Sequence, residues 1–228
     1  TWGVDRLLRN WDLESGKEID AFLFAGVGVD LPEISPSGSR AVFRVTPSSM
    51  SLWDLGSRKQ IKVLETEKKP WLSAKFVSDD KILLAGSHGS VLIYDSKAEV
   101  YRPVAKGHGL CSQLAVSNDG KYFARVDRQH VELFESESGE VRYKMDLGKS
   151  RAAWGVAFSP DSRRLYLVTL SLTDLTFENL TVVDTQTNRV ASVRFPTESG
   201  FGPGGFVVDP RGQYLVFACV AANAVVFF

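Results

Sequence analysis

A chain of 228 residues, 44% hydrophobic and 24% charged, is long enough for one sizeable core or for an array of smaller ones. Its 27 basic and 27 acidic side chains cancel, which excludes a global electrostatic attraction to nucleic acid or to an anionic membrane. No apolar run approaches the roughly 18 residues of a membrane-spanning helix.

Along the chain two marks recur. One is an aromatic or apolar residue followed by an acid and a turn: Trp11-Asp12, Trp53-Asp54, Tyr94-Asp95, Phe134-Glu135 and Val183-Asp184, with a decayed copy at Val226-Phe227. The other is a short turn, at residues 35–38, 77–80, 117–120, 159–162 and 209–212. The acidic marks are spaced by 42, 41, 40, 49 and 43 residues. A period of about forty residues means stacked supersecondary units, none of which buries its own apolar face alone. The excess in the fourth unit falls between Leu165 and Val183, at the join of its second and third strands. The chain opens on Thr1 in mid-pattern, which predicts a native N-terminus further upstream.

Residues 40–45, 81–85, 121–126, 164–168 and 213–218 follow the turn marks. They are short apolar runs rich in Val, Leu and aromatics, as strands buried on both faces should be. Residues 51–53, 90–94 and 130–134 alternate polar and apolar side chains, as half-exposed strands do. Residues 60–64, 141–145 and 190–195 alternate too. Each acid closes a strand ahead of Gly16, Gly56, Gly139 or Asn188. Its carboxylate is expected to accept from turn amides, and Gly or Asn to take a positive φ. No stretch keeps a helical period. Each unit is therefore read as four antiparallel strands, from inner to outer.

Four-stranded units whose third strand closes on Trp11-Asp12 or Trp53-Asp54, with a turn such as Phe158-Ser159-Pro160-Asp161, resemble the WD-repeat family of β-propellers. The last third, through Val183-Asp184 and Gly202 to Gly212, is more similar to YVTN-type propeller repeats. The resemblance implies an all-β propeller spanning 1–228 as a single domain. Counting strands predicts 21: two, then four sets of four, then three. That is a partial propeller: a fragment of a larger one, or a poorly closed small one. The family's Gly-His dipeptide occurs once, at Gly107-His108, and Phe134 replaces the tryptophan of the hydrogen-bonded tetrad there. Asp127 is the available acid of that set. Without tetrads the blades must rely mainly on apolar packing.

Sought chemistry is thin. Gly86-Ser87-His88-Gly89-Ser90 is not a nucleophile elbow, because it joins two strands. Gly26-Val27-Gly28 lacks the third glycine and the helix of a dinucleotide loop. His108 and Cys111 supply two ligands of a zinc site and no more. Cys111 and Cys219 read as small buried residues. Asn179-Leu180-Thr181 is ordinary hairpin sequence unless the chain is secreted. The compartment stays open, with a cytoplasmic one favoured.

The resemblance implies binding on the face built from outer-to-inner loops and second-to-third-strand hairpins. Trp71 and Trp154 align at inner-strand entrances, where they either pack between blades or face a partner. Arg125, Asp127 and Arg128 end a second strand and its hairpin, as a solvated turn or as a contact. Leu172, Leu175 and Phe177 sit on the long fourth hairpin, where apolar side chains either fold back or meet something. The expected function is a non-catalytic scaffold for a protein or peptide partner, with no cofactor and no bound metal. The alternatives are a lactonase-like propeller enzyme and a sensor or accessory domain. The aligned channel-end positions Asp30, Leu72, Ser112, Trp154 and Gly204 hold one carboxylate, a poor metal site.

Overall fold

The computed structural model describes residues 5, 7–23, 32–65, 70–107, 111, 113–127, 129–174, 177–194, 203–219 and 224–227. Among them every regular element is a strand, and no helix is long and apolar enough to cross a membrane. β1 (Leu7–Trp11) and β2 (Glu18–Leu23) pair as a leading sheet. The first blade is β3 (Glu33–Ile34), β4 (Arg40–Thr46), β5 (Ser49–Asp54) and β6 (Lys59–Glu65). The second is β7 (Trp71–Phe76), β8 (Lys81–Gly86), β9 (Val91–Asp95) and β10 (Val100–Ala105). The third is β11 (Gln113–Val116), β12 (Tyr122–Val126), β13 (His130–Glu135) and β14 (Val141–Asp146). The fourth is β15 (Arg151–Phe158), β16 (Arg164–Ser171), β17 (Phe177–Asp184) and β18 (Val190–Arg194). A trailing sheet holds β19 (Pro203–Val208), β20 (Leu215–Cys219) and β21 (Ala224–Phe227).

Among the described residues all pairings are antiparallel between consecutive strands, giving the expected 21 strands in sets of two, four and three. Inner strands neighbour one another in chain order, β3 by β7, β7 by β11, β11 by β15 and β15 by β19. Sheets stacked radially by their inner strands are propeller blades. Among the described residues the sheets do not close into a ring, as in a partial propeller.

The stabilising burial lies between blades. Ile82 and Leu84 on β8 pack with Val42, Met50 and Leu64 of the first blade, whereas Leu83 between them packs with Leu114, Phe123 and Phe134 of the third. Successive side chains of a strand point to opposite faces, so one apolar run serves two interfaces. The same pattern joins Leu133 to Leu165, and Val168 to Leu215. Glycines set the spacing. A Cβ on Gly155 of β15 would sit 2.5 Å from the Phe206 ring of β19, and one on Gly120 would sit 2.6 Å from the Val77 carbonyl.

The acidic marks work through local hydrogen bonds. Asp12 Oδ1 accepts from the amides of Glu14 (3.1 Å) and Ser15 (2.6 Å), and Asp95 Oδ1 from Lys97 and Ala98 (both 3.0 Å). Asp184 Oδ1 accepts from Gln186 (3.1 Å) and Thr187 (2.7 Å). These amides hold the Asp12, Asp95 and Asp184 carboxyls below the usual carboxylate range. Four residues after each acid the backbone turns left-handed, at Gly16, Arg58, Glu99, Gly139 and Asn188. The expected glycine at position 56 is thereby corrected: the turn places the positive φ (58°) on Arg58, and on Glu99 (57°) where neither Gly nor Asn stands. A non-glycine left-handed residue carries about 1 kcal/mol of strain. Glu99→Gly relieves it, loosens the unfolded chain and loses an exposed Lys62–Glu99 pair at 3.3 Å. The expected net is a gain of about 0.5 kcal/mol, read as a higher urea midpoint. A lower midpoint would show that the Lys62 pair outweighs the strain.

In the fourth blade the extra residues lengthen the strands. β16 and β17 each run eight residues, with Leu170 opposite Phe177. The lengthened hairpin adds ladder and buries Leu170 at 6% exposure.

Candidate functional site

One end of the blades is built from the second-to-third-strand hairpins and the loops entering each inner strand. Backbone hydrogen bonds tie these segments together. The Trp71 amide donates to the Pro47 carbonyl (2.8 Å), the Ser87 amide to Pro70 (3.0 Å), the Leu147 amide to Gln129 (2.7 Å) and the Leu172 amide to Ser150 (2.8 Å). Loops held this way lose little freedom when they bind.

Arg125 organises the centre of this end. It lies on β12, 6% exposed, opposite Glu132 on β13. Its Nη2 pairs with Glu132, and its Nη1 donates to the carbonyls of Gly89 and, at 3.1 Å, Lys106. The guanidinium stands 5.5 Å from the centre of the Phe134 ring. Lys144 reaches the other Glu132 oxygen at 3.2 Å. Gly89 and Lys106 belong to the second blade, so one planar fork of donors fastens two blades and two loops. Gly107 has no side chain because a Cβ there would strike Arg125 and Gly89. The solvated turn expected for Arg125 is thus replaced by a buried clamp between blades.

Asp127 closes its own hairpin. Its Oδ1 accepts from the amides of Gln129 (2.9 Å) and His130 (2.6 Å) and lies 3.1 Å from His130 Nδ1. Arg128 and His108 lie outside the described residues, so the tetrad set is visible only through Asp127.

The tryptophans are not equivalent. Trp71 is 3% exposed, packed with Leu64 and Tyr94 between the first two blades. Among the described residues its indole Nε1 has no hydrogen-bond partner. Trp154 is half-buried against Val168, Leu170 and Phe206, and its carbonyl accepts from Gln113 Nε2 at 2.5 Å. It occupies a register shift between Ala153 and Gly155, and Leu72 occupies the matching shift in β7. A bulge re-aims its extra residue, which places these channel-end positions at specially formed points of the inner strands. Asp30, Ser112 and the side chain of Leu72 lie outside the described residues, and Gly204 has no side chain to offer. Cys111 is fully buried, as expected, and burial pushes its thiol up to about 11. The Cys219 side chain lies outside the described residues.

On the fourth hairpin Leu172 is 48% exposed beside Thr173 and Asp174. Leu175 and the Phe177 side chain lie outside the described residues. At the opposite end, the inner strands line a cavity of about 530 Å³, bounded by Ile34, Phe76, Leu114, Val156 and Phe158. Lys75 and Glu33 pair across two blades there at 2.6 Å. Sequence reading missed Glu132 and Lys144. The signal was available in hairpin symmetry, because Val126 opposite Val131 sets Arg125 opposite Glu132.

Comparison with known proteins agrees with the architecture. A solved chain titled Kuenenia stuttgartiensis Hydrazine Synthase superposes with a TM-score of 0.76 at 16% identity, covering 97% of this chain and 70% of that one. A WD repeat-containing protein 26 homolog of Arabidopsis thaliana is 25% identical over 140 residues, 60% of this chain. The fold is a β-propeller, and part of its sequence is similar to a WD repeat protein. No protein-family model matches the chain. The matched stretch is 23% of the length of the Arabidopsis relative, and the likeness to hydrazine synthase concerns the fold alone.

Proposed function

We propose that this WD-like propeller is a non-catalytic scaffold that holds a protein or peptide partner on its loop end. The observation that carries the reading is the set of backbone bonds pinning hairpins to entry loops, with apolar Leu172 presented at the rim. A pre-ordered surface with an exposed apolar anchor suits recognition, and the resemblance to a WD repeat protein supports it. Among the described residues no group of three or more His, Cys, Asp or Glu side chains is placed to hold a metal. Trp154, Asp127 and Leu172 are the described contact residues in this reading, and Arg128, Leu175 and Phe177 belong to it by sequence. Trp71 and Arg125 act from beneath by fixing the loops. We also read the last third as YVTN-type repeat, from residues 183–189 and 202–212.

The test is Leu172→Asp. The side chain is exposed, so circular dichroism and the melting temperature should hold. Capture of partners from the native host should weaken by about 1–2 kcal/mol, the scale of a modest anchor. Unchanged capture would remove the fourth hairpin from the binding surface.

A further inference from the structure

Among the described residues every full blade ends in an outer strand with one unpaired edge, a template for adding another strand. Three of these edges are blunted. β6 carries Lys59, Lys62 and Glu65; β10 carries Pro103, which has no N–H to offer; β14 carries Arg142, Lys144 and Asp146. β18 is Val190-Ala191-Ser192-Val193-Arg194, with no charge before its last residue and every residue exposed. Its siblings also push a side chain into the next blade. Leu64 of β6, opposite Met50, is fully buried, whereas Val193 at the same register, opposite Leu180, is 64% exposed. Ser192 and Thr181 hydroxyls 2.8 Å apart fix the strand in place.

With Arg189 the segment is a pseudo-palindrome, Arg-Val-Ala-Ser-Val-Arg. Alternation sets Val190, Ser192 and Arg194 on one face and Arg189, Ala191 and Val193 on the other, so each face offers one valine and one arginine at opposite ends. Arg194 has no ion pair among the described residues.

We infer that the open edge of β18 docks an extended antiparallel peptide strand with an acidic residue at each end of a β-branched core. Main-chain hydrogen bonds supply affinity, the two valines meet β-branched neighbours, and the two arginines fix the register. A second copy of the chain fits less well. The antiparallel register that matches valine with valine sets Arg189 opposite Arg194 twice, and like charges directly opposite repel. Acidic ends turn both repulsions into attraction.

The experiment titrates the 228-residue chain into a fluorescently labelled Glu-Val-Thr-Thr-Val-Glu peptide and follows anisotropy. Saturable binding is expected, with added hydrogen-exchange protection confined to the amides of residues 190–194. Val193→Lys copies the protection of the sibling strands and should abolish binding while leaving the circular dichroism spectrum unchanged. Arg194→Glu should weaken binding about tenfold, and a peptide with lysine at the facing end should recover it. Absence of saturable binding, or binding indifferent to Val193→Lys, overturns the inference. Concentration-dependent self-association that Val193→Lys abolishes would overturn it in favour of a second copy.

Discussion

Replacing Arg125 by alanine should cost the chain about 3 kcal/mol, measured as the loss in urea-unfolding free energy. The guanidinium is buried and satisfies the Gly89 and Lys106 carbonyls as well as Glu132. Its removal leaves those acceptors without a donor. Glu132 keeps only Lys144, at 3.2 Å on a half-exposed stem. Burying an unmet charge costs more than the pair contributes, so the double replacement Arg125→Met with Glu132→Leu should recover most of the loss. That contrast separates a cost of orphaned charge from a cost of lost packing. A loss under about 1 kcal/mol for Arg125→Ala would show that water replaces the guanidinium and that the clamp is weak. The same variant should raise hydrogen exchange in residues 86–90 and 106–107, because the clamp holds both segments of the loop end.

Phe123→Ala should be comparably severe, at about 3–5 kcal/mol. Phe123 is fully buried on β12 and stacks on Phe134 with centroids 4.8 Å apart and planes 5° from parallel. Its neighbours in that core come from the second blade, among them Leu83, Val91 and Ile93. The cavity would open between blades, where two sheets have to move together to fill it. Phe123→Leu should cost about half as much, since a smaller void remains. Ile61→Ala on the exposed outer strand β6 is the control, and should change stability by less than about 0.5 kcal/mol. Equal effects at Phe123 and Ile61 would contradict the placement of the core between blades.

The fold was legible because its punctuation is local. An aspartate that caps its own turn, and a turn whose fourth position goes left-handed, leave their signature within five residues. That is why the strand count and the blade divisions read directly from Asp12, Asp54, Asp95 and Asp184. What escaped depends on pairing across blades. Arg125 looked like a turn residue because its partners at Gly89 and Lys106 are 36 and 19 positions away. Trp71 and Trp154 looked alike in alignment, yet a one-residue register shift falls after the first and on the second. The extra length of the fourth unit read as a longer join between its second and third strands. Apolar Leu170 could pair and be buried, so the ladder took up the extra residues.

The order in which cores are completed has a consequence for synthesis. Leu64 on the outer strand of one blade shares its core with Val42, Met50 and Leu52 of its own blade, and that core is completed by Trp71, Ile82 and Tyr94 of the next, as Ala105 shares its core with Phe123. A blade leaving the ribosome therefore carries an open apolar face until its successor emerges. Nascent chain of about one further repeat must clear the exit tunnel before that face is covered. Codon-level pauses would be tolerated best just after a complete pair of blades and worst midway through one. The chain matures like a zip drawn in one direction, each tooth held by the tooth translated after it.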